Sequence, residues 1–159
     1  MSAARRLVAA VLLAAATLMM GSRSAAAQVT PLQGLSFGTI VTGTRTSIAP
    51  TDPGAAVWQI RGILGVSGGV SFTLPTALTR VGGGSTMPIT FCTTCGVYRI
   101  NNATPVGGTV FDPSIGARGL YVVVLSDVYI WLGASVTPPL NQEPGSYVGT
   151  AVLTISAIL

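Results

Sequence analysis

Few side chains in this chain are equipped to do chemistry, and the first of them are two thiols. Cys92-Thr93-Thr94-Cys95 has the C-x-x-C spacing of dithiol redox sites. Such sites open a helix inside a strand–helix–strand unit, and no helical periodicity surrounds this pair. In an oxidising compartment the same spacing bridges a tight turn, whose ends lie within disulfide reach. A Cys92–Cys95 disulfide is therefore the expectation, with redox catalysis as the competing reading. A structural zinc site needs four Cys or His ligands, whereas the chain has two Cys and no His. No metal site and no cofactor is expected.

The absence of His also removes the common nucleophile–base triads. The four acids are Asp52, Asp112, Asp127 and Glu143. Two of them could pair as glycosidase carboxylates, but Asp52 and Asp112 directly precede Pro, where Asp commonly starts turns. Gly82-Gly83-Gly84-Ser85-Thr86 and Gly65-Val66-Ser67-Gly68-Gly69 resemble phosphate cradles only superficially. A Walker loop requires a Lys and a dinucleotide fingerprint must open a helix, so both read as turns. No catalytic residue is assigned, and the chain does not read as an enzyme. Asn102-Ala103-Thr104 matches a glycosylation sequon and is read as incidental. Tyr98, Tyr121, Tyr129 and Trp131 could offer an aromatic sugar-binding surface. Tyr129 and Trp131 are its centre if they point outward while Val128, Ile130 and Leu132 point in. The competing reading packs them under a loop or at a subunit contact, where Tyr and Trp are enriched.

The elements that must position these groups begin after a leader. Arg5 and Arg6 precede an apolar run from Leu7 to Met20, and Ser24-Ala25-Ala26-Ala27 supplies small residues for a peptidase. This is the pattern of a secretory signal peptide. The run is interrupted by Gly21-Ser22-Arg23, short of the roughly 20 apolar residues that a membrane span needs. The expected organisation is residues 1–27 as signal peptide and residues 28–159 as one domain, exported to the periplasm, cell surface or medium. The formal net charge of +4 belongs mostly to the leader. Without Arg5, Arg6 and Arg23, five Arg face four acids. That balance lacks the basic face that nucleic-acid binding requires, and no second apolar segment is long enough to span a bilayer. With no Lys or His and few other charges, the surface must be covered by Thr, Ser, Gly, Asn and Gln. Such a surface suits a subunit that packs against copies of itself.

Alternation of apolar and polar residues then marks strands. They are expected at residues 35–41, 44–49, 56–63, 70–74, 87–91, 120–125, 128–136 and 147–159. Pro88 suggests that 87–91 is an edge. The continuously apolar run 120–125 suggests a central strand forming a hairpin with 128–136, and residues 93–119 are the least regular. In the last strand Tyr147, Ala151, Leu153, Ile155, Ala157 and Leu159 share one face, with Thr150, Thr154 and Ser156 on the other. About eight short strands punctuated by Gly and Pro fit an all-β protein, an immunoglobulin-like antiparallel β-sandwich. A small barrel is the alternative.

Three motifs carry a resemblance: Leu35-Ser36-Phe37-Gly38-Thr39-Ile40-Val41 with Gly43, Leu132-Gly133-Ala134-Ser135-Val136, and Pro144-Gly145-Ser146-Tyr147-Val148-Gly149-Thr150. Together they resemble the exported bacterial family called domain-of-unknown-function 4402. More distantly the plan is similar to fimbrial subunits and spore-coat-U-like proteins. The resemblance implies an immunoglobulin-like fold, assembly on the cell surface with self or other surface subunits as partners, and no enzyme activity. A secreted or surface-displayed structural subunit is the expectation. The alternative is an adhesin-like module that binds a glycan.

Overall fold

The computed structural model describes residues 28–61, 67–121 and 126–158. The leader expected at residues 1–27 lies outside them, as do 62–66, 122–125 and Leu159. The described residues contain no helix and thirteen strands: β1 (Gln28–Gln33), β2 (Thr46–Ile48), β3 (Ala56–Arg61), β4 (Ser67–Thr73), β5 (Ala77–Arg80), β6 (Thr86–Thr90), β7 (Gly96–Ile100), β8 (Thr109–Phe111), β9 (Ala117–Tyr121), β10 (Val128–Leu132), β11 (Ala134–Val136), β12 (Tyr147–Val148) and β13 (Val152–Ile158). They form three antiparallel sheets, ordered β1-β3-β10-β7-β8, β12-β5-β6-β11-β2 and β13-β4-β9.

Strand alternation builds the core. On β10, Val128, Ile130 and Leu132 are fully buried, as is Ile60 on β3. Val128 and Ile130 join Ile60, Val70 of β4 and Ala117 of β9 in one cluster, with Phe72, Leu153 and Ile155 packed against it. The first and third sheets thus face each other as a sandwich. Trp58 and Phe72 meet edge to face across it at 5.5 Å. Each fully buried Ile or Val contributes about 1.5–3 kcal/mol. A second cluster of Met87, Ile89, Ala134 and Val136 lies on the second sheet, covered by Leu35, Phe37, Ile40 and Tyr147.

Two corners connect the sheets. Gly133 alone separates β10 from β11, yet Leu132 pairs with Gly96 in the first sheet and Ser135 with Thr90 in the second. The partner run breaks at the same level, between β6 and β7, where the cysteines lie. The Gly133 N–H donates to the Cys95 carbonyl at 2.8 Å. A Cβ at Gly133 would collide with the Ile48 carbonyl oxygen and sit 3.0 Å from backbone atoms of Ala49 and Pro50. At the second corner β4 and β5 break around Pro75 opposite the break between β12 and β13.

The all-β antiparallel sandwich expected from the sequence is present. The strand count rises from about eight to thirteen: the runs 128–136 and 147–159 cross corners and each split in two, 35–41 is lost, and β1, β5, β7 and β8 appear where no strand was expected. Several local expectations change. Residues 35–41 form no strand, because Gly38 takes a left-handed φ of 63° that shifts the inward phase from Phe37 to Ile40. Residues 28–33, assigned no strand from sequence, form edge strand β1, whose Pro31 sits where an edge tolerates it. Residues 93–119 hold β7, β8 and the start of β9.

Strand β6, expected at an edge, lies between β5 and β11. The Ile89 N–H points to Thr76 on the β5 side, so position 88 faces β11. The β11 ladder reaches only Ile89 and Thr90, and no donor is needed at Pro88. Residues 117–121 form β9, which pairs with β4 at the end of the third sheet; most of the central strand expected at 120–125, residues 122–125, and with it the expected hairpin to 128–136, lies outside the described residues. Because Gly133 admits no side chain, Gly133→Ala is expected to lower the unfolding free energy by about 1–3 kcal/mol. Gly34→Ala, where a Cβ meets nothing within 4 Å, should change it little; denaturant titration of both variants checks the pair.

Candidate functional site

The residues singled out for chemistry fall into three places. At the first corner Cys92 and Cys95 hold their sulfurs at bonding distance, 2.20 Å, with Cα atoms 5.0 Å apart. Cys95 is buried, and its N–H donates to the Cys92 carbonyl at 3.1 Å. The pair closes the turn through which the chain passes from β6 to β7, with no helix beside it. Its location makes it a brace for the corner.

The second place is the outer face of the first sheet. Tyr129 and Trp131 lie on the face opposite Val128, Ile130 and Leu132, and their rings stack at 6.1 Å. Trp131 is nevertheless only 4% exposed and Tyr129 is half-buried. The cause is a roof. Arg99 of β7 donates to the Val106 carbonyl at 2.6 Å and to Thr104 Oγ1 at 3.4 Å, which draws the 101–108 loop over the sheet. Ala103 and Pro105 of that loop, with Asp52 and Pro53 of the 50–54 turn, line an open cleft of about 380 Å³ beside Trp131. Next to Tyr129, Gln59 is buried and donates Nε2 to Asp127 Oδ2 at 2.8 Å and to the Tyr129 hydroxyl at 3.1 Å. Arg61 pairs with the other Asp127 oxygen at 3.1 Å. Asn101, at a left-handed φ of 55°, exchanges backbone and side-chain hydrogen bonds with Asp127.

The four acids lie in separate structural settings. Asp52 accepts from the Ala49 N–H at 2.7 Å and Asp112 from the Ser114 N–H at 2.8 Å, both as turn caps. Asp127 serves the network just described, and Glu143 pairs with Arg80 at 3.2 Å. Asn102 of the sequon accepts from Thr104 N and Oγ1 within its own turn. Among the described residues no cluster of three or more acids, Cys or His could hold a metal ion, and no helix is long and apolar enough to cross a membrane.

The third place is the rim of the sheets. Of the terminal strands, β2, β8 and β12 have two or three residues, β1 carries Pro31 and β9 carries Arg118. Strand β13 has seven residues, Val152 to Ile158, with neither charge nor Pro. All seven pair with β4, and among the described residues nothing pairs with the other edge. Leu153 and Ile155 face the core and Val152, Thr154 and Ser156 are exposed, as the alternation predicts. The sequence did not disclose that Gln59 is buried or that Gln142 lies inside a cleft. Gln59 reads as an outward, solvated position on β3, and Gln142 sits in an irregular connection with no periodic signal.

Replacing Cys92 and Cys95 together by Ala is expected to cost about 2 kcal/mol, the loop-closure value for a four-residue ring, with the β spectrum by circular dichroism kept. Because its ring is roofed, Trp131→Ala is expected to cost about 3–5 kcal/mol in unfolding free energy; a loss below about 1 kcal/mol would place the ring in solvent. Comparison with protein-family models, curated proteins and solved structures finds no match for this chain.

Proposed function

We propose that this chain is an exported, fimbria-like structural subunit that assembles with copies of itself or with other surface subunits through the edge of β13 that nothing among the described residues pairs. The single observation that carries the reading is the character of that edge. Natural sheets blunt their rims with short strands, charges, Pro or cover, because an open row of N–H and C=O groups templates pairing with another chain. Among the described residues the terminal strands β2, β8 and β12 are two or three residues long and β1 carries Pro31, whereas β13 is long, continuous in register and without charge or Pro. The resemblance to exported domain-of-unknown-function 4402 and fimbrial proteins supports the same reading. Scarce charge over the rest of the chain lets copies approach with little repulsion.

The glycan-binding alternative draws on the Tyr129–Trp131 stack. With Trp131 roofed, a sugar would meet only the half-buried Tyr129 and its polar neighbours Arg61 and Asp127. That is a smaller platform than the two rings offered in the sequence, so assembly is the favoured reading.

Val152 and Thr154 are exposed, so Lys at both positions leaves the inward face of β13 unchanged. Light scattering over a concentration series is expected to show growing oligomers for the wild-type protein and a monomer for Val152→Lys, Thr154→Lys with the same circular dichroism. A wild-type protein that stays monomeric throughout would contradict assembly. Oligomers that persist in the double variant would place the contact elsewhere.

A further inference from the structure

The residue types of β13 read alike from either end. In Val152-Leu153-Thr154-Ile155-Ser156-Ala157-Ile158, the outermost pair is Val and Ile, the next Leu and Ala, the next Thr and Ser, and Ile155 stands in the middle. Aliphatic answers aliphatic and hydroxyl answers hydroxyl. Such symmetry suits a strand that pairs antiparallel with a copy of itself, because residues directly opposite each other share a face and interact as cross-strand pairs.

The same pattern selects one register. With Ile155 opposite Ile155 of a second copy, Thr154 stands opposite Ser156, Leu153 opposite Ala157 and Val152 opposite Ile158, so every position of the strand is matched in kind. Centring the pair on Thr154 sets Val152 against Ser156, and centring it on Ser156 sets Thr154 against Ile158. Each of those registers also leaves two positions of β13 without an opposite. A shift by a single residue would turn the core side of one copy toward the solvent side of the other.

Burial at the rim agrees. Leu153 and Ile155 pack against the sandwich core but are only half-buried. An antiparallel partner related by a two-fold axis normal to the sheet keeps the core sides of both copies together, in a continuous sheet of β9-β4-β13 from each copy, and covers the flanks of those two side chains. No charge on β13 opposes an identical strand. Strand β9, at the other end of the sheet, meets β4 through a register shift between Gly68 and Val70 and is a less regular template. Within the assembly proposed above, on which this step rests, we infer that the partner at the β13 edge is β13 of a second copy, antiparallel and in register at Ile155. The pair is isologous and occupies the β13 edge of both copies.

The test places thiols on the solvent side of the strand. Thr154 and Ser156 are exposed, and Cys92 and Cys95 are bonded to each other, so a Cys introduced at either position is the sole free thiol of its chain. Thr154→Cys, Ser156→Cys and an equimolar mixture of the two are prepared dilute, concentrated and oxidised in air, with circular dichroism confirming the wild-type fold. Disulfide-linked dimer is expected in the mixture at on the order of tenfold the yield of either variant alone, because opposite Cβ atoms lie about 4.5–5.5 Å apart and diagonal neighbours about 7–8 Å. Equal or greater linkage in Thr154→Cys alone or in Ser156→Cys alone would overturn the inference by showing another register or a parallel pair. Absence of linkage in all three samples, while light scattering shows oligomers, would overturn self-pairing and leave assembly standing. Monomers throughout by light scattering would remove the assembly reading and this inference with it.

Discussion

The backbone contact at Gly133 is the constraint on which the rest of the structure depends. There a continuous run of alternating residues leaves one sheet and enters another without a loop, which requires the chain to pass against the Ile48 carbonyl with no side chain in between. The neighbouring run makes the same change through the Cys92–Cys95 turn, and the two are joined by the Gly133–Cys95 hydrogen bond. On one side of this corner Val128 and Ile130 fill the sandwich; on the other Ala134 and Val136 fill the second cluster. Packing in one cluster therefore fixes the position of the other.

That arrangement also determines where chemistry is offered to the outside. Polar side chains that would otherwise make a surface site are occupied in holding the scaffold: Arg99 draws down a loop, Asp127 ties Arg61 and Gln59, and Asp52 and Asp112 cap turns. What remains among the described residues are the backbone groups along the outer edge of β13 and the apolar lining of a cleft beside the second cluster. Strand pairing asks only for another extended chain.

Much of the scaffold was legible because period-two alternation reports burial directly. Val128, Ile130 and Leu132 point inward as expected, and the inward phase of Leu153 and Ile155 is the one read from the last strand. The C-x-x-C pair was legible as a turn clip because no helix could follow it. The failures have a common cause: alternation says which way a side chain points, not which strand lies beside it. Strand β6 took an inner position despite Pro88, and residues 35–41 kept their apolar contacts while losing the ladder at Gly38. Trp131 was placed on the correct face, but the loop that covers it is held by Arg99, 32 positions before the ring in the chain, where no local signal marks the contact. The cleft is likewise made by segments distant in the chain, so nothing local marks Gln142.

Amide hydrogen exchange across the first corner tests the coupling most directly. If the corner joins both clusters into one cooperative unit, the ladder-bonded amides of β10 and β11, from Ile130 to Val136, belong to the slowest class and exchange with a single free energy that falls together on Gly133→Ala. Two separate free energies on the two sides of Gly133, with only one responding to that substitution, would contradict the account.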